Sequence, residues 1–232
     1  MKRYSDIREE CCAANKSLPK SGLVDLTFGN VSVCDRQAGV LAIKPSGVDY
    51  SALTPDDMVI VDFDGKVVEG TLNPSSDTPT HRCLFVAFSD IRSVVHTHSR
   101  KAVAFAQAAR EIPLLGTTHA DYFRGAVPLT RALTPEEIAS AYEWETGKVI
   151  VERFADINPN DIPAVLVRNH GPFAWGPSAA KAVENALALE IVADMAFHAL
   201  TLAPAAPPAL ALSEKHFLRK HGATATYGQK NS

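Results

Sequence analysis

The sequence predicts an α/β protein in which a largely antiparallel sheet is covered by helices on both faces. Short strand-like runs with hairpin-length connections fill the amino-terminal half, and helices alternate with strands in the later part. The chain has 232 residues, 46% hydrophobic and 21% charged, which is enough for one large core without disulfides. A single domain over residues 1–232 is therefore expected.

The amino-terminal half is predicted to be rich in strands. A helix over residues 3–17 ends at Leu18-Pro19, because proline cannot continue a helix. Four strands are expected after it, at 23–34, 39–43, 58–63 and 66–69. Asp64-Gly65 is typical of the tight turn between the last two strands.

The later elements alternate between helix and strand. Asp77-Thr78-Pro79-Thr80 begins a helix, because a capping side chain precedes a proline in the first turn. The elements expected after this helix, which reaches about Ser89, are a strand at Ser93–His98, a helix from about Ser99, strands near 113–115 and 126–129, a helix opened by Thr134-Pro135-Glu136-Glu137, a strand at 164–168 and a long helix from Ser178.

Bulk properties exclude several classes of function. A net charge of -3 and a pI near 6.2 provide no basic surface for a nucleic acid. The apolar run from Ala179 to Leu202 contains four charged residues, so it is expected to be a packed helix and not a membrane span. The amino terminus lacks the apolar core of a signal peptide, and the four cysteines show no disulfide or CxxC pattern. A cytoplasmic protein is expected.

The segment Val94-Val95-His96-Thr97-His98 predicts part of a metal site. Residues i and i+2 of a strand face the same side, so His96 and His98 converge. Imidazole suits zinc and other divalent first-row metals, which need further ligands. His170 before a glycine turn and Asp77 at a helix start are the candidates. Each has an ordinary alternative, since HxH occurs by chance, His170 could be a turn residue and Asp77 could be a helix cap.

Several longer segments together resemble the class II aldolase family, in its L-ribulose-5-phosphate 4-epimerase branch. The similarity runs in order from about Asn15 to Gln229. The segments that carry it are Leu26-Thr27-Phe28-Gly29-Asn30-Val31-Ser32, Ile43-Lys44-Pro45-Ser46-Gly47-Val48-Asp49-Tyr50, Pro74-Ser75-Ser76-Asp77-Thr78-Pro79-Thr80-His81, Val95-His96-Thr97-His98-Ser99-Arg100, Thr117-Thr118-His119-Ala120-Asp121-Tyr122, Tyr142-Glu143-Trp144-Glu145-Thr146-Gly147 and Asn169-His170-Gly171-Pro172-Phe173-Ala174-Trp175-Gly176.

The resemblance implies a three-layer α/β/α sandwich of the class II aldolase type, assembled as a homotetramer. It implies a zinc ion, with manganese or cobalt as other divalent possibilities, held by His96, His98, His170 and Asp77. Active sites would lie between subunits, with residues 203–232 forming a tail that completes a neighbouring site. The implied phosphate-binding residues are Asn30, Ser46, Gly47, Ser75 and Ser76, with Lys44 nearby for charge.

The chemistry implied by the resemblance interconverts L-ribulose 5-phosphate and D-xylulose 5-phosphate, in pentose catabolism of the L-arabinose type. Whether the pentose derives from arabinose, ascorbate or another source is left open by the sequence. The C3–C4 bond breaks in a retro-aldol step and re-forms on the opposite carbonyl face, which requires two acid/base groups. The resemblance assigns these to Asp121 and Tyr227. His216 and Arg219 are implied contacts, and Thr117 and Glu143 are implied site residues with less definite roles. Thr226 stands where these epimerases often have a second aromatic residue.

Two other functions fit parts of the sequence. A class II aldolase acting on a deoxyketose 1-phosphate would release the two fragments, but that branch usually has a glutamate base where this chain has Asp77. A catalytically silent metal-binding or assembly protein could retain the fold. Every implied ligand and acid/base position is intact, which favours the epimerase.

Overall fold

The computed structural model describes residues 3–222 and 225. Seven strands within these residues form one sheet, and each neighbouring pair is antiparallel. The strands are β1 (Asn30–Asp35), β2 (Val40–Ile43), β3 (Val59–Asp62), β4 (Val67–Glu69), β5 (Ser93–His96), β6 (Ala164–Leu166) and β7 (Pro172–Gly176). Their order across the sheet is β4-β3-β2-β1-β5-β7-β6.

Helices cover both faces of this sheet. They are α1 (Ser5–Ser17), α2 (Thr78–Ala87), α3 (Arg100–Gln107), α4 (Thr117–Ala120), α5 (Pro135–Ala139), α6 (Tyr142–Arg153), α7 (Ala179–Leu202) and α8 (Leu210–His221). One core lies under α1, α3 and α7, and the other lies under α2 and α6. The predicted sandwich with a largely antiparallel central sheet is confirmed.

Strand residues are buried on both sides, as this layering requires. Val94 belongs to the core under α2 and α6, and the next residue, Val95, belongs to the core under α7. Successive side chains of a strand point to opposite faces, so a strand between two helical layers is apolar at every position. The four cysteines are buried and free, which agrees with the absence of a disulfide pattern in the sequence.

Helix α7 is the long apolar helix that the sequence predicts from Ser178. Within the described residues it is the one helix long and apolar enough to cross a membrane by length and composition alone. It packs instead against β7 and α3, with Leu189, Val192 and Ala193 in the core. The Ser178 side chain caps its first turn by accepting from the Lys181 backbone amide.

The strand predicted at 23–34 begins only at Asn30. Leu26 has φ 54° and Gly29 has φ 81°, and neither value is compatible with an extended strand. The segment before Asn30 is therefore a loop, which brings Thr27 and Phe28 to the edge of a cavity. The apolar residues Leu23 and Val24 suggest a strand, and the sequence gives no clear sign that Leu26, three residues after Leu23, has a left-handed backbone.

Other differences concern the second half of the chain. The strands expected near 113–115 and 126–129 are reduced to isolated bridges, Ile112 with Val127 and Leu129 with Leu166. The helix opened by Thr134 starts with a capping box between Thr134 and Glu137 but ends at Ala139, and α6 starts separately at Tyr142. Strand β7 and helix α8 were not predicted, and α8 occupies much of the expected tail.

Candidate metal centre

Three histidines converge at one end of the central strands. His96 ends β5, His98 lies two residues later, and His170 lies in the turn between β6 and β7. One ring nitrogen from each can be chosen so that all lie within 4.8 Å of one another. Nitrogen ligands about 2.0–2.1 Å from a tetrahedral zinc lie about 3.3 Å apart, so small adjustments would close these three around one ion.

The ring of His96 is already oriented for metal binding. Its Nδ1 lies 3.0 Å from the Pro172 carbonyl oxygen, which can only accept a hydrogen bond, so the ring proton sits on Nδ1. Nε2 is then left with a lone pair and lies 3.1 Å from Nε2 of His98. The ring also stacks on Phe173, with centroids 4.2 Å apart. A backbone carbonyl holding the second nitrogen is the usual support of a histidine ligand.

The protonation of the cluster also suits a metal. Burial lowers the pKa of His170 to about 4, and the neighbouring His96 lowers it further. Burial and His96 likewise lower the pKa of His98. His98 and His170 are therefore driven toward the neutral form, which is the form that binds divalent ions.

Asp77 occupies the N-cap position of α2 but does not cap the helix with its side chain. Its Oδ2 accepts a hydrogen bond from Asn30 Nδ2 at 2.7 Å. Burial alone would raise the pKa of Asp77, but the nearby His96 and His81 and the Asn30 hydrogen bond outweigh it and lower the pKa. The ordinary alternative of a helix cap does not describe this carboxylate, which faces the same cavity as the histidines.

His81, one turn after Asp77, is not part of the cluster. It is fully buried, and its Nδ1 lies 2.6 Å from the Ser32 hydroxyl oxygen. Burial lowers its pKa to about 3, so it is a neutral core residue.

A cavity of about 410 Å³ opens beside the histidines. Eleven residues that the sequence resemblance implies for the active site line it together: Asn30, Lys44, Ser46, Gly47, Ser75, Ser76, Asp77, His96, His98, Glu143 and His170. They come from β1, β5, α6 and four loops, which the antiparallel pairing of β1 with β2 and β5 helps to bring together.

Among the other residues that line this cavity are a buried lysine and a glycine in a turn. Lys44 is 2% exposed, and its Nζ lies 4.9 Å from the centre of the Tyr50 ring. Burial lowers the pKa of Lys44, which the nearby Asp49 partly offsets. Gly47 has φ 69°, a conformation that bulky residues avoid. A buried ammonium beside serine hydroxyls and a glycine turn can bind a phosphate group.

The remaining predicted residues form a second group, away from this cavity. Asp121, at the end of α4, accepts hydrogen bonds from Arg219 Nε at 3.0 Å and Arg219 Nη2 at 2.7 Å. His216 Nδ1 lies 3.1 Å from the same carboxylate. Thr117 starts α4 one turn earlier. None of these four lines the histidine cavity, and Tyr227 and Thr226 lie outside the described residues.

Asp121 is ionised in this arrangement. Burial alone would raise its pKa, but the hydrogen bonds from Arg219 and His216 outweigh this and lower it. Helix α8, which brings both partners, is thus the element that fixes the Asp121 carboxylate.

Comparison with known proteins identifies the family. Residues 9–197 match the family described as Class II Aldolase and Adducin N-terminal domain. The chain belongs to the class II aldolase family. A curated relative, the L-ribulose-5-phosphate 4-epimerase UlaF of Salmonella paratyphi B, is 52% identical over 225 residues, covering 97% of this chain and 99% of that protein.

Solved structures of class II aldolases show the same fold. An L-fuculose 1-phosphate aldolase is similar with a TM-score of 0.77 and 26% identity, over 91% of this chain and 94% of that one. The L-fuculose-1-phosphate aldolase of Thermus thermophilus has a TM-score of 0.67 and 25% identity, over 85% and 96% of the two chains. These findings confirm the resemblance read from the sequence segments.

The cavity residues that were not predicted from the sequence include Thr27, Phe28 and Tyr142. Phe28 stacks on His98 with ring centroids 5.7 Å apart. The Tyr142 hydroxyl lies 3.4 Å from His170 Nδ1. Both belong to segments that carry the family resemblance, but an aromatic residue in such a segment is indistinguishable from a core residue until the fold places it.

Proposed function

We propose that this chain is a metal-dependent L-ribulose-5-phosphate 4-epimerase, which interconverts L-ribulose 5-phosphate and D-xylulose 5-phosphate. The observation that carries the proposal is the 52% identity, over nearly the full length of both chains, to a protein of that name. The cavity beside the three histidines has the chemical groups that a phosphorylated ketopentose requires.

The histidine cluster fits a divalent ion, and we take zinc as the metal, with manganese or cobalt as possible replacements. His96, His98 and His170 would hold it, with Asp77 as a further ligand. Three neutral imidazoles and one carboxylate are a donor set typical of zinc and its neighbours. When bound, the ion supplies a Lewis acid next to the C2 carbonyl and C3 hydroxyl oxygens of the sugar.

The lysine, serines and glycine that line the cavity would bind the phosphate. Lys44 provides charge, Ser46, Ser75 and Ser76 provide hydroxyls, and the turn at Gly47 allows close approach to the backbone. Asn30 links this group to the proposed ligand Asp77, because its Nδ2 donates to Ser75 Oγ at 3.0 Å as well as to Asp77. A substrate with its phosphate here would present its carbonyl end toward the histidines.

The reaction requires a base and an acid on opposite faces of the sugar. In cleavage, the C4 hydroxyl loses its proton to a base, the C4 oxygen becomes the carbonyl of glycolaldehyde phosphate, and the C3–C4 electron pair passes to the dihydroxyacetone fragment. Re-addition to the other carbonyl face and return of a proton to the C4 oxygen invert the stereocentre. We assign the two proton-transferring groups to Asp121 and Tyr227.

A shared active site accounts for the separation of the two groups. Asp121, Thr117, His216 and Arg219 are far enough from the histidine cavity that none of them lines it within one subunit. We therefore propose a homotetramer in which residues 203–232 and α4 of one subunit complete the cavity of the next. The whole chain would then act as one catalytic domain with an appended tail.

The cellular role follows from the proposed chemistry. Epimerisation of a ketopentose 5-phosphate belongs to pentose catabolism, of which the L-arabinose type is the route we propose. Phosphorylated intermediates of this kind are cytoplasmic, and we place the enzyme there.

An aldolase that releases both fragments is the second candidate, because solved structures of similar fold are named L-fuculose 1-phosphate aldolases. Incubation of the purified protein with L-ribulose 5-phosphate separates the two reactions. We expect D-xylulose 5-phosphate without accumulation of glycolaldehyde phosphate. Glycolaldehyde phosphate without inversion at C4 would establish the aldolase instead.

A further inference from the structure

The rings of the three clustered histidines each face an aromatic side chain, but only one of these can form a hydrogen bond. Tyr142 lies tilted against His170, with centroids 6.3 Å apart and the rings at 31°. Its hydroxyl oxygen lies 3.4 Å from His170 Nδ1. Phe28 beside His98 and Phe173 beside His96 have no such group.

His170 needs an anchor because it lies in a turn. The His170 amide donates to the Val167 carbonyl, and Asn169 before it has φ 62°. Gly171 after it is packed so closely that an added Cβ would lie 2.8 Å from the Thr97 carbonyl oxygen. This turn fixes the His170 backbone but does not by itself set which nitrogen of the ring carries the proton.

Tyr142 supplies for His170 what a backbone carbonyl supplies for His96. The Pro172 carbonyl accepts the Nδ1 proton of His96 and leaves its Nε2 as an acceptor. Among the described residues, the ring nitrogens of His170 have one hydrogen-bond partner, the Tyr142 hydroxyl. A neutral imidazole carries one N–H, so a metal ligand needs its other nitrogen free of a proton.

We propose that Tyr142 is a positioning residue of the metal centre: its hydroxyl oxygen accepts the Nδ1 proton of His170 and leaves Nε2 to bind the divalent ion. This inference rests on the proposed metal site. It assigns a role to a residue that acts through His170 and not through the reacting atoms of the substrate.

The backbone around Tyr142 is held rigidly, so its hydroxyl is held in place. Tyr142 begins α6, and its carbonyl accepts from Thr146 Oγ1 at 2.9 Å. The next carbonyl, of Glu143, accepts from the Thr80 hydroxyl of α2. Gly147 allows α6 to approach α2 closely, since an added Cβ would lie 2.5 Å from Cys83 Cβ.

Because Asp77 precedes α2, this packing connects two of the proposed ligands. Asp77 is carried by α2, and His170 is oriented by the first turn of α6, which α2 holds. Tyr142 is the first residue of α6, which begins after the break that follows Ala139.

The test is zinc affinity, measured by competition with a chelator, for the wild type, Tyr142→Phe and Tyr4→Phe. Loss of a group that orients a ligand typically weakens metal binding by about 10-fold to 100-fold, and we expect Tyr142→Phe to be near the lower end. Tyr4 is 6% exposed in the core near α1, so Tyr4→Phe removes a hydroxyl far from the cavity and should retain wild-type affinity. The metal-free variants should melt within a few degrees of the wild type.

A second measurement separates positioning from direct substrate contact. In a His170→Gln background, Tyr142→Phe should lower zinc affinity by less than about twofold, because the residue through which it acts is gone. An equal loss in both backgrounds would overturn the inference. So would an unchanged zinc affinity in Tyr142→Phe accompanied by a raised KM, which indicates a substrate contact.

The same titrations distinguish this inference from the proposed function. Wild-type protein that binds no zinc, cobalt or manganese would overturn the metal site and the role of Tyr142 together. If the wild type binds zinc tightly and Tyr142→Phe binds it equally tightly, the role of Tyr142 alone would be overturned.

Discussion

Gly29 combines a left-handed backbone with a close contact that leaves no room for a side chain. It has φ 81°, and an added Cβ would lie 2.7 Å from the carbonyl oxygen of His96 and 3.0 Å from Val24 Cγ1. The next residue, Asn30, pairs with His96 across β1 and β5. Gly29→Ala should therefore disturb both the loop and the proposed metal ligand.

The expected loss of stability in Gly29→Ala has two parts. A left-handed backbone costs a residue with a Cβ roughly 1–2 kcal/mol. The Cβ also falls about 0.7 Å short of ordinary contact with the His96 carbonyl, and overpacking of this kind costs about 1–3 kcal/mol. We expect the free energy of unfolding to fall by about 2–5 kcal/mol in total.

Gly39 provides the matched control. It has φ 68°, but an added Cβ would meet nothing within 4 Å. Gly39→Ala should therefore show only the backbone cost of roughly 1–2 kcal/mol and wild-type zinc affinity.

The assay is urea unfolding of both metal-free variants, followed by zinc titration. Displacement of the His96 backbone should weaken zinc binding in Gly29→Ala by about tenfold or more, since ligand geometry is sensitive to shifts well below 1 Å. Equal unfolding free energies and equal zinc affinities for the two alanine variants would refute the reasoning.

Three further predictions concern charge, assembly and pH. Lys44→Met should raise KM for the sugar phosphate by about tenfold, because the lost charge faces the phosphate, while zinc affinity stays within about twofold of the wild type. An unchanged KM in steady-state kinetics would contradict this. The variants Asp121→Asn and His98→Asn should each be nearly inactive. If the active sites are shared between subunits, refolding the two variants together should restore activity. No recovery would place each active site within one subunit. Burial lowers the pKa of His119 to about 4 and of His81 to about 3. Below pH 6.5 the unfolded chain therefore binds more protons than the folded chain. The free energy of unfolding should fall as pH drops from 6.5 toward 4, by up to about 1.4 kcal/mol per pH unit for each histidine. His119→Gln should flatten this slope in urea unfolding, and an unchanged slope would count against it.

The metal ligands show how far the sequence leads. The spacing of His96 and His98 in an expected strand at Ser93–His98 predicts convergence on one face. The strand ends at His96, but the structure still places the Nε2 atoms of the two histidines 3.1 Å apart. His170 lies far along the chain from both, and no local pattern brings it to that face. The unpredicted strand β7 does so, by pairing antiparallel to β5.

Loop geometry was harder to predict than the elements. The apolar run from Leu23 suggests a strand, but positive φ at Leu26 and Gly29 turns it into the cavity-lining loop. Tyr142 was missed for a related reason, since Ser140 interrupts what the sequence suggests is one helix. Interruptions of this kind are decided by tertiary packing, here of α6 on α2, and not by propensity.

The second group of site residues marks another limit. Asp121, His216 and Arg219 meet one another within the subunit but do not line the histidine cavity. Their positions in the sequence give no sign of whether they contact another copy of the chain. The shared site therefore stays a prediction, and the mixed-variant experiment addresses it.

Turnover as a function of bound metal tests the central claim most directly. The purified protein should be chelated, and zinc should then be added back in steps while inversion of L-ribulose 5-phosphate at C4 is followed by NMR. We predict that D-xylulose 5-phosphate formation stops on chelation and returns in proportion to zinc bound, up to one ion per subunit. Inversion that persists in the metal-free protein, or no inversion with any divalent ion, would contradict a metal-dependent epimerase.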